Sequence, residues 1–216
     1  MKLGVLISGR GSNLQALIDA CANPDFPAEI ALVISNRPNA AGLERAIKAR
    51  LNSQTIDHKA FKDRESFEDE LTNALQNAGV ELVCLAGFMR VLTPKFTERW
   101  AGKAINIHPS LLPSFPGLHT HERAIEAGCR FAGATVHFVS AEMDEGPIII
   151  QATTPILAND DANSLADRVL QAEHEIYVRA VRWIAEGKIL MKNGSVSIEG
   201  IEDEASYYLP TTKRSV

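Results

Sequence analysis

LGVLISGRGSNLQALIDA, residues 3–20, carries the reading of the fold. Leu3 to Ile7 is a short, continuous apolar run, as expected of a strand buried on both faces of a parallel sheet. It ends in the small, turn-forming residues Ser8-Gly9-Arg10-Gly11, and Asn13 to Cys21 then reads as a helix. Strand, glycine-rich turn and helix in that order form the opening unit of an open α/β sheet.

The same alternation continues outward from this unit. Ile30–Ile34, a short run near Gln54–Asp57, Glu81–Leu85 and Ala104–His108 read as strands. Leu43 to Ala49 reads as a helix after the turn-like Ser35-Asn36-Arg37-Pro38-Asn39. From Ser66, Phe67, Leu71, Ala74, Leu75 and Ala78 recur at steps of three and four, marking an amphipathic helix that ends at Gly79. Right-handed βαβ crossovers would gather these strands into an open, doubly wound, mostly parallel sheet with helices on both faces.

After Gly117 the pattern changes. A helix over about Thr120–Ala127 leads to two β runs, Gly133–Val139 and Pro147–Ile156, which the loop Ser140–Gly146 would join as an antiparallel pair. Ala162–Gly187 reads as a long helix. Lys188–Ile198 reads as a hairpin turning at Asn193-Gly194, and residues from Glu202 on as a loose tail. One domain over 1–216 is expected, with a first half at about 1–100, a second half at about 101–187, and the hairpin and tail at 188–216.

Composition narrows the function classes. In 216 residues, 45% hydrophobic and 23% charged residues suit a folded globular chain, and a formal net charge of −5 offers no general attraction to nucleic acid or an anionic membrane. Cys21, Cys84 and Cys129 lack any CxxC spacing, which argues against a disulfide framework or thiolate metal site. No signal-peptide core precedes Ser8 and no apolar stretch approaches the length of a membrane span, so a cytoplasmic protein is expected.

Three places could carry chemistry. In Ser8-Gly9-Arg10-Gly11-Ser12-Asn13-Leu14, glycines allow close backbone approach and the helix N-terminus favours an anion. The spacing is neither GxGxxG nor the Walker pattern, and the turn could equally be a plain βα connection capped by Ser12 or Asn13. Asn106 and His108 would share one face at the carboxyl end of a strand, where open α/β sheets bind ligands, with Pro109 ending the strand. An amide that donates to an oxyanion beside an imidazole that moves protons suits acyl transfer to an amine. A hydrogen-bonded histidine at a polar strand end is the simpler alternative.

Asp144, in the loop Ser140-Ala141-Glu142-Met143-Asp144-Glu145-Gly146, could hold the tautomer of His108 and favour its imidazolium, or be only a turn residue. His119, His121 and Glu122 invite a metal reading, but Thr120 reads as a helix start and Glu122 as a first-turn acid, so no metal is expected. His137 reads as packed or hydrogen bonded, His58 as a surface residue, and Cys84 as core.

Several segments together resemble the phosphoribosylglycinamide formyltransferase family in its compact bacterial form. They are LISGRGSNLQALIDA, SNRPNAAGLERA, LAGFMRVLTPKF, INIHPSLLPSFPGLHTH, ATVHFVSAEMDEGPIIIQ and QAEHEIY, spread from Leu3 to about Gly187. The resemblance implies a formyltransferase-type fold and formyl transfer from 10-formyltetrahydrofolate to the amine of glycinamide ribonucleotide, without metal. It implies Asn106, His108 and Asp144 as the catalytic trio. Gly11, Ser12 and Asn13 would hold the nucleotide phosphate, and Glu173 would contact the ribonucleotide.

By the same resemblance, Arg64 falls where folate is held and the backbone of Met89, Arg90, Val91 and Leu92 forms the pterin slot, near Asn106. Ser140, Ala141, Glu142 and Met143 belong to the loop that closes over it. Small molecules are the implied partners, with neither nucleic acid nor membrane, in a monomer or weak homodimer. Formyltetrahydrofolate hydrolase and methionyl-tRNA formyltransferase share this chemistry but normally carry an extra domain, for which this chain is read as leaving no room. A catalytically silent nucleotide-binding module would keep the glycine turn without needing the trio.

Overall fold

The computed structural model describes residues 1–192 and 194–200. At its centre lies a sheet of β1 (Lys2–Ile7), β2 (Glu29–Ser35), β3 (Ser53–Thr55), β4 (Leu82–Leu85), β5 (Ala104–His108), β6 (Phe131–Phe138) and β7 (Ile148–Pro155). The order across it is β3-β2-β1-β4-β5-β6-β7. The first five strands are parallel, and β6 and β7 pair antiparallel with their neighbours. The expected doubly wound sheet and its antiparallel last pair are both present.

Strand alternation divides the core into two layers. Val5 and Ile7 of β1 pack with Leu14 and Leu17 of α1 (Ser12–Cys21) and with Val169, Ile176 and Tyr177 of α6 (Ala162–Ala185). Leu6, between them, points the other way, toward Phe67, Leu71 and Leu75 of α3 (Arg64–Asn77). The shorter helices are α2 (Gly42–Lys48), α4 (Pro94–Arg99) and α5 (Thr120–Glu126). Phe96 of α4 joins the α3 side, while α5 packs on α6. A buried Phe or Leu in these layers contributes about 1.5–3 kcal/mol relative to exposure.

Two short elements escaped the sequence reading. Helix α4 has six residues, too few for a periodic signal, although Thr93 caps it and Pro94 occupies its first turn. A 3-10 turn at His58–Ala60 sets His58 against the β2 end, with Nδ1 2.9 Å from the Asn36 carbonyl and the ring edge-on to Phe67. Its side chain is only 17% exposed, which corrects the expectation of a surface histidine.

A hairpin of β8 (Ile189–Lys192) and β9 (Ser195–Ile198) follows α6, with Gly194 at φ +77°. Asn193 and the tail expected from Glu202 lie outside the described residues. Among the described residues no helix is long and apolar enough to cross a membrane.

At the start of α6 a capping box joins Asp161 and Ser164, and neighbouring Asp160 pairs with Arg168. That guanidinium lowers the Asp160 carboxyl from 3.8 to about 2. A lowered folded-state value contributes stability above the unfolded value, lost as pH falls through the folded one. The melting temperature of Asp160→Asn should therefore lie below wild type at pH 7, and the gap should close as pH drops from 4 toward 2. Thermal unfolding across that range checks it, and a gap independent of pH would contradict the pairing.

Candidate active site

The chain runs from β1 to β2 and β3 on one side and then crosses to β4 on the other, so the order of strand addition reverses between β1 and β4. In open α/β sheets ligands bind outside the strand carboxyl ends at such a reversal. Two loops leave there, residues 8–11 after β1 and residues 86–93 after β4. The carboxyl end of β5 lies alongside, with Asn106 paired to Leu85 of β4.

Gly11 takes φ +70° and is the N-cap of α1, with no side-chain cap bond. This rules out the alternative in which Ser12 or Asn13 caps the helix, and it leaves the first-turn N–H groups without a side-chain cap. Helix α2 holds the turn from behind, since Gly42 N–H donates to the Gly9 carbonyl at 2.9 Å and Arg45 Nε to the Arg10 carbonyl at 2.9 Å. Asn13 is instead buried, donating from Nδ2 to Glu173 Oε2 at 2.6 Å. Its Oδ1 is buried with no hydrogen-bond partner among the described residues. Burial raises the Glu173 carboxyl, opposed by the Asn13 bond and the charge of Arg10.

His108 closes β5 and is buried. Its Nδ1 lies 3.5 Å from Asp144 Oδ2 and its Nε2 3.2 Å from the Phe115 carbonyl. Both ring nitrogens thus face oxygen acceptors. Asp144 Oδ2 also accepts the Gly117 N–H at 2.9 Å. Asp144 and Phe115, the two residues engaging His108, have φ +60° and +55°. Such left-handed backbone at non-glycine residues clusters where surrounding structure enforces a functional geometry.

Asn106 stands directly across the β5–β6 ladder from His137. His137 Nδ1 is 2.9 Å from the Phe138 carbonyl, and its Nε2 is 3.2 Å from Asn106 Nδ2. A carbonyl only accepts, so Nδ1 carries the proton; burial lowers the pKa of His137, and in the neutral ring Nε2 accepts from the amide. His137 thereby sets which way the Asn106 amide points and leaves its second N–H for another acceptor. His137 Nε2 also lies 3.9 Å from Asp144 Oδ1. The expectation of a packed or hydrogen-bonded His137 holds, but its partner Asn106 is set by the cross-strand register, which no local pattern reports.

The loop after His108 is tied down by buried Thr135, whose hydroxyl donates to the Ser110 carbonyl at 2.6 Å and accepts the Leu112 N–H at 3.1 Å. Met89 and Val91 are 58% and 51% exposed, Arg90 is half-buried, and Leu92 turns into the core. In the 140–144 loop, Ser140 is half-buried, its hydroxyl donating to the Glu142 carbonyl at 2.9 Å. Ala141, Glu142 and Met143 are exposed. Arg64 opens α3 on the surface, and its charge and that of Arg90 both act on Glu68.

The structure thus gathers Asn106, His108 and Asp144 into one cluster, and Asn13 and Glu173 into another. His119 is an exposed partner of Glu122 at 3.8 Å, and among the described residues no three His, Cys, Asp or Glu side chains are grouped as a metal site would need.

Comparison with known proteins bears on the chain as a whole. The sequence pattern of the formyl transferase family matches residues 1–181. A phosphoribosylglycinamide formyltransferase from Haemophilus influenzae is 46% identical over 199 residues, covering 92% of this chain and 94% of that protein. The crystal structure of glycinamide ribonucleotide transformylase 1 from Symbiobacterium toebii superposes with a TM-score of 0.90 at 46% identity, over 92% of this chain and 93% of that one. A formyltetrahydrofolate deformylase from Burkholderia mallei is more distant, at 28% identity and a TM-score of 0.83, with 69% of its length covered.

Proposed function

The chain belongs to the formyl transferase family, which matches it over residues 1–181, and from that premise we infer that it is a phosphoribosylglycinamide formyltransferase. It transfers the formyl group of 10-formyltetrahydrofolate to the glycinamide amine of N1-(5-phosphoribosyl)glycinamide in purine biosynthesis. The observation that carries the mechanistic part of this reading is the Asn106, His108 and Asp144 cluster at the carboxyl end of β5. Exposed apolar Met89, Val91 and Met143 offer the kind of surface a flat heteroaromatic donor would cover.

The folate supplies the formyl carbon and the departing nitrogen. As the amine nitrogen bonds to that carbon, negative charge gathers on the formyl oxygen, and the free N–H of Asn106 stabilises it. His108 moves the proton released by the amine to the departing nitrogen as the old carbon–nitrogen bond breaks. Asp144 holds His108 through Nδ1 and balances its charge. The N–H groups of Gly11, Ser12 and Asn13 take the substrate phosphate, Glu173 contacts the ribonucleotide, and the 89–92 backbone, the 140–143 loop and Arg64 hold the folate.

No metal takes part in this reading. The chain acts on small molecules rather than on nucleic acid or a membrane, as one cytoplasmic domain that is monomeric or weakly dimeric.

Incubation with 10-formyltetrahydrofolate should give formylated nucleotide only when glycinamide ribonucleotide is present. Formate released without the nucleotide would instead mean a hydrolase. His108→Ala is expected to lower kcat about a hundredfold with folate binding nearly intact, and full activity in that variant would reject the proton-transfer role.

A further inference from the structure

We propose that Ser8 and Glu68 are positioning residues for the folate, pinning the two ends of the 89–92 backbone so that it is presented in one geometry. This rests on the reading of residues 89–92 as the folate slot.

At the first end, the Met89 N–H donates to Ser8 Oγ at 2.8 Å, and the Ser8 hydroxyl donates to Asn36 Oδ1 at 2.6 Å. Ser8 is 2% exposed and Asn36 wholly buried. The single hydroxyl hydrogen is committed to Asn36, so an oxygen lone pair is left facing Met89. Ser8 also opens the glycine turn after β1, so this one hydroxyl spans the sheet reversal and joins the two loops that flank it.

At the other end, the carboxylate of Glu68 accepts the Thr93 N–H at 3.0 and 3.2 Å and also the Thr93 hydroxyl. Glu68 is 3% exposed, on a helix whose neighbouring inward residues are Phe67, Leu71 and Leu75. Burying a carboxylate there is costly, and an apolar residue would pack without that cost. Its bonds go to one residue, the last before α4 and the first after the slot. Between the pins, Met89 and Val91 stay exposed in a stretch that is neither helix nor strand. Such a segment left free would lose conformational entropy at each binding event, and one already ordered would not.

The test is calorimetric titration of tetrahydrofolate, and separately of glycinamide ribonucleotide, into the full chain carrying Glu68→Gln, Ser8→Ala, both, or Thr93→Ser. Each of the first two should weaken tetrahydrofolate about tenfold, the loss expected for one hydrogen-bonded anchor. The double variant should lose less than the product of the singles, since one freed end already mobilises the segment. Glu68→Gln should leave ribonucleotide affinity within about twofold, and Thr93→Ser, which keeps both donors, should match wild type within the same range.

A folded Glu68→Gln with unchanged tetrahydrofolate affinity, or with both ligands weakened alike, overturns the proposal. If that variant does not fold, an unchanged affinity in Ser8→Ala overturns it alone. Hydrogen exchange on wild type separates the two readings. If tetrahydrofolate gives no protection to the 89–92 amides, the slot itself is wrong, whereas protection with unmoved variant affinities removes only the pinning role.

Discussion

Replacing Asp144 with asparagine is expected to lower kcat for formyl transfer about a thousandfold while tetrahydrofolate affinity changes little. The exchange nearly conserves volume, and asparagine tolerates the left-handed backbone at φ +60° that Asp144 adopts. What changes is charge and acceptor count. One carboxylate oxygen already accepts the Gly117 N–H at 2.9 Å, and the same oxygen is 3.5 Å from His108 Nδ1. An amide can keep the Gly117 bond with its oxygen, but it removes the negative charge beside His108 and places an NH2 in the cluster. His108 then loses the partner that balances the imidazolium formed during proton transfer. Steady-state kinetics alongside calorimetric folate binding checks this, and a kcat within tenfold of wild type would remove Asp144 from the mechanism.

Gly133→Ala should destabilise the fold by about 3 kcal/mol, the upper part of the usual overpacking range, because the obstacle is backbone. An added Cβ would overlap the Ala152 carbonyl of β7 and come within 2.8 Å of Leu111 Cδ2. A side chain can rotate away, whereas Ala152 belongs to the β6–β7 ladder, where Gly133 pairs with Thr153. At this chain length that loss corresponds to a melting-temperature fall of roughly 6–12 °C. Activity should fall too, since β6 carries both Thr135, which ties down the loop after His108, and His137. Thermal unfolding by circular dichroism measures the first effect, and an unchanged midpoint would show that the ladder can spread at no cost.

Much of the architecture is legible locally. The Leu3–Ile7 run, the glycine turn and the recurrence of Phe67, Leu71 and Leu75 each report one element through its own period. Helix α4 leaves no periodic signal because six residues hold less than two turns. The burial of His58 is not legible locally because it comes from Asn36 and Phe67, which belong to other parts of the chain. The N-cap of α1 is Gly11 rather than a polar side chain, and Asn13 is engaged by Glu173, far along the chain.

Local patterns in the chain specify the succession of strands and helices, the strand end where the sheet should bind ligands, and the common side of Asn106 and His108. Each follows from dihedral preferences and burial periods within a short window. Packing between distant elements is what brings Asn106 to face His137, Asp144 to His108, and Ser8 and Glu68 to the two ends of one loop. Those contacts depend on strand register and on how distant loops close over the sheet, and both are set by packing between elements that no local pattern relates.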